Sequence, residues 1–407
     1  MKVYYDKDKQ RVPIKSWCEN PEEGALNQAI DLANHPAICD WVALMPDTHF
    51  GCGMPIGGVV CLDDAISPHM VGADIGCGMG AWETGISLDA FLEKKGDILK
   101  KIRYGIPTGF SHRDSKNATT NSEKYIKNLS AKHGDKKFWN RVPYNIEQNT
   151  REQIGTLGGG NHFIEIQKDT NNMIWVMVHS GSRNMGKLTG DVYHALALEC
   201  NEKWKTALNV PDLAFFPFSS DEGQEYHEAM NFCLDFAFYN RRVMMDIVQE
   251  AFVFAGFNCC DKKITNIHHN YASLETHYKK TVITHRKGAT FAGPNTTGII
   301  PGSMGTKSYI VKGKGNPQSF HSCSHGAGRT MGRGVAKRTL SLHDFEKAMK
   351  GIDFRVSKTT LDESPMAYKD ISIVMAEQED LVQILHELTP VVPIKDETEP
   401  RRRKKKR

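Results

Sequence analysis

The 407-residue sequence predicts one α+β domain over residues 1–395, packed β-sheets with surrounding helices, followed by a charged tail over 396–407. Three observations carry that reading. Apolar, strand-like runs repeatedly end in turns rich in glycine and polar residues. Two stretches place apolar residues at helical spacing. No internal repeat and no linker interrupts the chain before residue 396, so the elements belong to one intertwined unit.

In chain order, WVALMPD (41–47) is the first clear strand run, and it leads into THFGCGMPIGG. Glycine and lysine enrichment around 110–140 predicts an exposed segment without a domain break. IWVMVHS (174–180) runs into GSRNMG. Residues 222–254 space Met230, Leu234, Ala237, Met244, Ile247 and Ala251 along one face, with charges between them, and predict a helix. TVITHRKG (281–288) leads into ATFAGPNTTG. Residues 369–388, with Ile373, Met375, Leu381 and Leu385, predict a second helix. The polar stretch KDETEP and the closing RRRKKKR predict a solvated, disordered end. Such a layout puts the chemistry at strand ends and loops.

Composition narrows the function classes. No run of eighteen apolar residues is present, so no membrane span is expected. The N-terminal MKVYYDKDKQRVPIKSW has no apolar core of the secretory type. Ten cysteines in such a chain read as reduced thiols in a cytoplasmic protein. They lack CxxC or zinc-finger spacing, so a metal site must be assembled from distant segments. The net charge of +4 rests on the last seven residues, which supply +7 and leave residues 1–400 at −3. A basic nucleic-acid surface therefore cannot be read from the total.

Candidate ligands gather at glycine-rich turns. VGADIGCG (71–78) sets Asp74 and Cys77 three apart, a carboxylate and a thiolate able to share one cation or, through sulfur, to bridge two. GNHFIE supplies Asn161, His162 and Glu165, and VMVHSGSR ends on His179 with Arg183 beyond it. In NIHHNY, the adjacent His268 and His269 face opposite ways if extended, so only one enters a site. SCSHGAGR (322–329) holds His325 among residues of little bulk. Singly, each histidine is more often structural than ligating; their shared company is the argument. A mixed N, S and O donor set suits zinc, manganese or iron. IIPGSMGTKSYIV (299–311) lacks the spacing of a nucleotide-triphosphate loop, but its amides and hydroxyls can cradle an anion. Arg286, Lys287, Arg329 and Arg333, read as lying in tight turns, add cations suited to phosphate. From the residues alone, this is a metal-dependent enzyme acting on phosphate.

PDTHFGCGMPIGGV, VGADIGCGM, GTLGGGNHFIEI, VHSGSRNMG, HHNY, HRKGA, IIPGSMGTKS, CSHGAGRTMGR, SPMAYKDI and VPIK follow one another in the order and approximate spacing of the RtcB-type RNA ligases. The chain resembles that family over residues 1–395. The resemblance implies an RtcB-like domain that joins RNA ends bearing a 2′,3′-cyclic phosphate or 3′-phosphate to 5′-hydroxyl ends, using GTP and two Mn²⁺. It implies one Mn²⁺ held by Asp74, Cys77 and His162, and a second held by Cys77, His179 and His269. It makes His325 the nucleophile that takes GMP. Asn161, His162, Phe163, Ile164, Glu165, His269, Asn270, Pro301, Gly302, Ser303, Met304, Ser308, His325, Gly326, Ala327, Gly328 and Lys395 would line the nucleotide pocket. Arg183, Lys287 and Arg333 would contact RNA phosphates. The sequence departs from the family pattern at Lys395, where Asp396 and the tail replace a closing glycine, and in GIPTGFSHRDSKNATTN (105–121). The enzymatic alternative is a metal-dependent RNA phosphodiesterase without ligation. A binding alternative is an RNA-binding protein with a purely structural metal.

Overall fold

Two large sheets organise the computed structural model, which describes residues 1–113, 120–258 and 264–397. One has seven strands, in the order Thr265–His268, Gly78–Ser87, Met173–Ser180, Phe163–Lys168, Val382–Ile394, Ser308–Gly313 and Thr297–Ile300. Neighbours are antiparallel throughout. The two edge strands pack against each other, so the sheet curls nearly into a barrel.

Its alternation splits the side chains into two cores. Trp82, Ile164, Ile166, Ile174, Val176 and Val178 face outward into the largest cluster, where the helix Asp221–Phe254 packs on them. Met79, Ala81, Trp175, Met177, Ile299, Ile310 and Leu388 face inward and fill the curled interior. Met173–Ser180 is buried on both faces, which explains its continuous apolar run. The long helix matches the expectation for 222–254; Ser220 caps it, its hydroxyl accepting from the Gly223 N–H at 3.1 Å.

The second sheet has six strands: Lys2–Tyr4, Ile14–Ser16, Ile38–His49, Ile56–Leu62, Lys280–Lys287 and Asn270–His277. Here Val42, Leu44, Val60 and Leu62 pack under the helix Glu23–Ala33. Ala43, Met45, Val59 and Cys61 face the opposite way, toward Phe320, Cys323 and Ala327. The strand runs expected at 41–47, 174–180 and 281–288 are all present.

The helix expected over 369–388 is not. A helix spans only Ile371–Ala376, and Val382–Ile394 is a strand. That strand pairs with both Phe163–Lys168 and Ser308–Gly313. Its Thr389–Ile394 portion, TPVVPI, carries two prolines and two valines, which resist helix and suit extended backbone. Leu381 is buried at the strand's entry while Leu385 is exposed, so the shared helical face does not exist. A chain segment from the C-terminal region thus sits in the middle of a sheet built mainly from earlier residues, and the α+β domain cannot be divided there. The expected tail lies, from residue 398 on, outside the described residues, as does 114–119 within the segment that departs from the family pattern.

Candidate metal centre and nucleotide pocket

Strand parity delivers the candidate metal ligands to one end of the curled sheet. Cys77 continues the inward series of Met79 and Ala81. His179 continues Trp175 and Met177, and His269 continues Ile267. His268 faces the other way, where its Nδ1 meets the Gly76 carbonyl at 3.0 Å and the Arg241 guanidinium at 3.2 Å. Of the adjacent pair, His269 is the one that faces the donor cluster.

Two donor triplets share the Cys77 sulfur: Asp74, Cys77 and His162 form one, and Cys77, His179 and His269 the other. Cys77 Sγ lies 3.5 Å from His162 Nε2 and 3.2 Å from His179 Nε2. Asp74 Oδ2 is 3.0 Å from His162 Nε2, and the Nε2 atoms of His179 and His269 are 3.1 Å apart. Each imidazole is anchored through its other nitrogen. Nδ1 of His162 meets the Leu157 carbonyl at 3.0 Å, and Nδ1 of His179 meets that of Asn161 at 3.1 Å. Nδ1 of His269 meets Asn270 Oδ1 at 3.2 Å. Asn270 cannot be reversed, because its Nδ2 donates to the Asp74 carbonyl at 3.1 Å and its Oδ1 accepts from Gly288 N–H at 2.7 Å. All three partners are acceptors, so each ring, when neutral, carries its proton on Nδ1 and offers an Nε2 lone pair. Two such lone pairs 3.1 Å apart, with a sulfur between the triplets, call for cations. The donor set fits two divalent ions.

Burial dominates the electrostatics of the cluster. Burial holds the His179 and His269 imidazoles well below their usual range, keeping them neutral. Burial and the Asp74 carboxylate push the Cys77 thiol well up. Burial also raises Asp74, but His162 outweighs it and the carboxyl is held below its usual range.

His325 stands beside this cluster, its ring centroid 4.7 Å from that of His269. It follows the short strand Ser322–Ser324, which pairs with Ala289–Phe291. Asp47, inward on the same face as Ala43 and Met45, meets it. One carboxylate oxygen, Oδ2, takes His325 Nδ1 at 2.7 Å, the His325 N–H at 3.1 Å and the Gly326 N–H at 3.2 Å. The strand end itself is pinned by Lys369, whose ammonium donates to the carbonyls of Pro46 at 3.0 Å and Thr48 at 2.6 Å. Gly328 makes the approach feasible. Its φ is +75°, and a Cβ there would lie 2.2 Å from the Asp47 carbonyl oxygen. The glycines after His325 thus serve the fit to Asp47 as well as leaving space for a ligand.

A cavity of about 290 Å³ opens in front of His325. Of the residues that the family resemblance placed in the nucleotide pocket, Asn161, Phe163, Glu165, Pro301, Gly302, Ser303, Met304, Gly326, Ala327, Gly328 and Lys395 line it, together with His49, His179, Arg329, Arg333, Glu363 and Tyr368. Ser308 acts behind the wall, its hydroxyl accepting from Gly302 N–H at 3.1 Å. Ile164 belongs to the outward core, Asn270 braces the Asp74 loop, and His162 and His269 stand in the donor cluster, so none of these four lines the cavity. Lys395 is buried, its ammonium donating to Glu363 Oε2 at 2.8 Å and lying 5.8 Å from the centre of the Phe163 ring. Burial pushes the Glu165 carboxyl up to about 8, although Gln167 and Lys395 oppose it.

A second, larger cavity of about 880 Å³ lies on the other side of the cluster, where Asp74, His162, Arg183 and Lys187 face it. Arg183, at φ +60°, precedes the helix Asn184–Trp204, and its guanidinium donates to Thr156 Oγ1 at 3.0 Å and the Gly109 carbonyl at 3.1 Å. The candidate donors therefore stand between two cavities, one of them lined by His325.

The basic residues expected to meet phosphate divide. Arg329 and Arg333 reach the smaller cavity, with Arg333 half-exposed and paired to Glu363 at 2.9 Å. Arg286 and Lys287 do not sit in a tight turn but end the strand Lys280–Lys287. Arg286 is fully buried against Glu275, Ser322 and the Phe320 carbonyl. Lys287 is buried with its ammonium on the carbonyls of Cys52 and His69, and it lines neither cavity. Its strand register and neighbouring carbonyls explain the difference from the expected RNA contact. Sequence reasoning missed Asp47, His49, Glu363 and Tyr368 as site residues.

A family model described as tRNA-splicing ligase RtcB matches residues 28–396. The chain is 38% identical over 401 residues to the RNA-splicing ligase RtcB of Escherichia coli strain K12, covering 95% of this chain and 98% of that one. It is 31% identical to the tRNA-splicing ligase RtcB of Aeropyrum pernix, over 87% of each chain. It is 29% identical to that of Thermococcus kodakarensis, over 94% of this chain and 92% of the other. The chain belongs to the RtcB family of RNA-splicing ligases.

Proposed function

We propose that this protein joins RNA ends bearing a 3′-phosphate or 2′,3′-cyclic phosphate to 5′-hydroxyl ends, using GTP, two Mn²⁺ and a GMP–His325 intermediate. The observation that carries the reading is the grip of buried Asp47 on His325 Nδ1 at 2.7 Å. It fixes the proton on Nδ1 and leaves Nε2 as an unprotonated nucleophile beside the cavity, the tautomer that attack on phosphorus requires. In the first step His325 Nε2 bonds the α-phosphorus of GTP and the bond to pyrophosphate breaks. The ring gains positive charge as it does so, and Asp47 offsets it. A terminal RNA phosphate oxygen then attacks the GMP phosphorus, the N–P bond breaks, and RNA-3′-pp-G forms. The 5′-hydroxyl attacks the RNA-side phosphorus, losing its proton, and GMP leaves. A cyclic end is hydrolysed to the 3′-phosphate beforehand.

Asp74, Cys77 and His162 would hold one Mn²⁺, and Cys77, His179 and His269 the other. Bound there, the cations supply Lewis-acid stabilisation of charge on the phosphates. Phe163, Glu165 and Lys395 would receive the guanine, and Ser303 and the amides around Gly302 the phosphates. The larger cavity, with Arg183, suits the RNA, and Arg333 stands where the RNA end would enter the smaller one. The eight described cysteines are all free thiols, which supports a cytoplasmic setting. No helix among the described residues is long and apolar enough to cross a membrane.

Incubation with Mn²⁺ and GTP tests the reading. The protein should gain one covalent GMP, labile to acid, and His325→Ala should lose it while still binding metal. Full labelling of His325→Ala would refute the nucleophile, and RNA hydrolysis without any GMP adduct would favour the phosphodiesterase alternative.

A further inference from the structure

Outside the catalytic cluster, a second group of metal-type donors sits at the surface. Cys52 lies in the loop between the strands Ile38–His49 and Ile56–Leu62, His69 in the short helix Pro68–Val71, and Asp212 in the turn Pro211–Leu213. Cys52 Sγ is 3.8 Å from His69 Nδ1 and 3.8 Å from Asp212 Oδ2, while His69 Nδ1 is 3.6 Å from Asp212 Oδ1. Tetrahedral zinc with ordinary Zn–S, Zn–N and Zn–O bonds separates its donor atoms by roughly 3.2–3.7 Å. The two Asp212 distances use different carboxylate oxygens; with one ligand atom from each residue the three donors lie within 4.8 Å of one another, which a turn of the side chains brings toward that range. One further imidazole packs against the group without joining it. His194, from the helix Asn184–Trp204, stacks on His69 at 3.4 Å between centroids and brings Nε2 to 4.0 Å from Asp212 Oδ1.

The backbone is built to bring these segments together. Gly53 has φ +69°, and a Cβ there would meet the Asp212 carbonyl oxygen at 3.0 Å and His69 Cβ at 3.4 Å. Lys287 crosses beneath, its ammonium donating to the carbonyls of Cys52 and His69 and so tying two of the donor segments together.

We propose that Cys52, His69 and Asp212, with solvent completing the coordination, form a binding site for a thiophilic divalent cation of the zinc class, separate from the catalytic pair. A thiolate with imidazole and carboxylate partners selects such an ion over magnesium or calcium. Binding forms a sulfur–metal bond as the Cys52 thiol gives its proton to solvent, with no change of oxidation state. The cation would clamp the loop 50–55, which joins Asp47 and His49 on one side to Ile56 on the other. His49 and Ile56 both line the cavity in front of His325. The site therefore couples metal occupancy at the surface to the geometry of that cavity.

Cys52 is exposed, so its reactivity reports the site directly and separately from Cys77. Full-length protein is treated with iodoacetamide with and without Zn²⁺, and alkylation of the Cys52 peptide is followed by mass spectrometry. Zn²⁺ should slow that alkylation by about tenfold or more, because a metal-bound thiolate is a poor nucleophile. His69→Ala and Asp212→Asn should each abolish most of the protection. Cys52→Ala, a change at an exposed position, should bind one fewer Zn²⁺ per chain than the wild type. An unchanged alkylation rate, protection that survives in both variants, or equal Zn²⁺ stoichiometry in Cys52→Ala would overturn the proposal.

Discussion

Replacing Asp47 with asparagine isolates what a carboxylate does for His325. The shape is nearly kept, and the amide oxygen can still accept from the His325 and Gly326 N–H groups, so the loop should fold. Two things change. The charge-assisted bond from His325 Nδ1, 2.7 Å long, becomes neutral or is lost. Such bonds contribute about 1.5–3 kcal/mol, equivalent to roughly ten- to 150-fold in rate when they act on the developing imidazolium. The amide can also turn its NH₂ toward Nδ1. That moves the ring proton to Nε2 and blocks the attacking lone pair, a change that costs about 10⁴ in a serine-protease triad. His325 guanylylation should therefore fall by about 10²–10⁴, while stability falls by no more than about 3 kcal/mol. The assay is single-turnover transfer of label from α-³²P-GTP at saturating nucleotide, with thermal unfolding measured on the same sample. The pH dependence adds a check. Burial opposes the Asp47 charge, but His325 outweighs it and holds the carboxyl below its usual range. A depressed acid contributes stability above its unfolded pKa and loses it only as pH falls through the folded one. Raising the pH from 6 to 8 should leave the ratio of wild-type to variant rates unchanged on Asp47's account. A variant within tenfold of wild type would refute the positioning role.

Two other outcomes follow from the geometry. His269→Ala should abolish guanylylation by removing a donor from the second triplet, whereas His268→Ala should retain it and lose about 1–2 kcal/mol of stability through the Gly76 and Arg241 contacts; the reverse pattern would show that the strand presents its other face. Glu165, raised to about 8 by burial, is neutral at pH 7 in the free pocket, so binding guanine N–H donors to its carboxylate must release a proton. GTP affinity measured by calorimetry should then rise between about pH 6.5 and 8 by up to tenfold per unit, and Glu165→Gln should flatten that rise; a pH-independent wild type would remove Glu165 from guanine recognition.

What the sequence made legible tracks how local the physics is. The strand ends carrying His162, His179 and His269 were readable because alternation and glycine turns act over a few residues. The helix Asp221–Phe254 was readable from its periodicity. The segment 369–388 was misread because its partners, Phe163–Lys168 and Ser308–Gly313, are far away in sequence, and their pairing overrides a weak helical pattern. Charge was the hardest property to place. Arg286 and Lys287 look like phosphate ligands in HRKGAT, yet Glu275 neutralises one and two carbonyls hold the other. Glu363 had no local signal at all. It lies in a short turn, and only the assembled fold surrounds it with Lys395, Arg329 and Arg333.

Asp47 is the instructive case, because a signal for it was present in the sequence. In WVALMPD, alternation puts Ala43, Met45 and Asp47 on one face, and that face is buried. A carboxylate on a buried face requires several N–H donors or a cation, since its desolvation would otherwise neutralise or unfold the site. No lysine or arginine in the same strand run can serve it. The partner must therefore come from a distant segment whose backbone can approach closely enough to donate amides. A histidine followed by Gly-Ala-Gly meets both needs, and SHGAG at 324–328 is the segment that arrives. The same requirement explains why Gly328 cannot carry a side chain: the Asp47 carbonyl occupies the space where its Cβ would be. Buried charge and nearby glycine are thus two sides of one constraint, and together they tie the His325 loop to the strand whose Asp47 holds the imidazole's Nδ1.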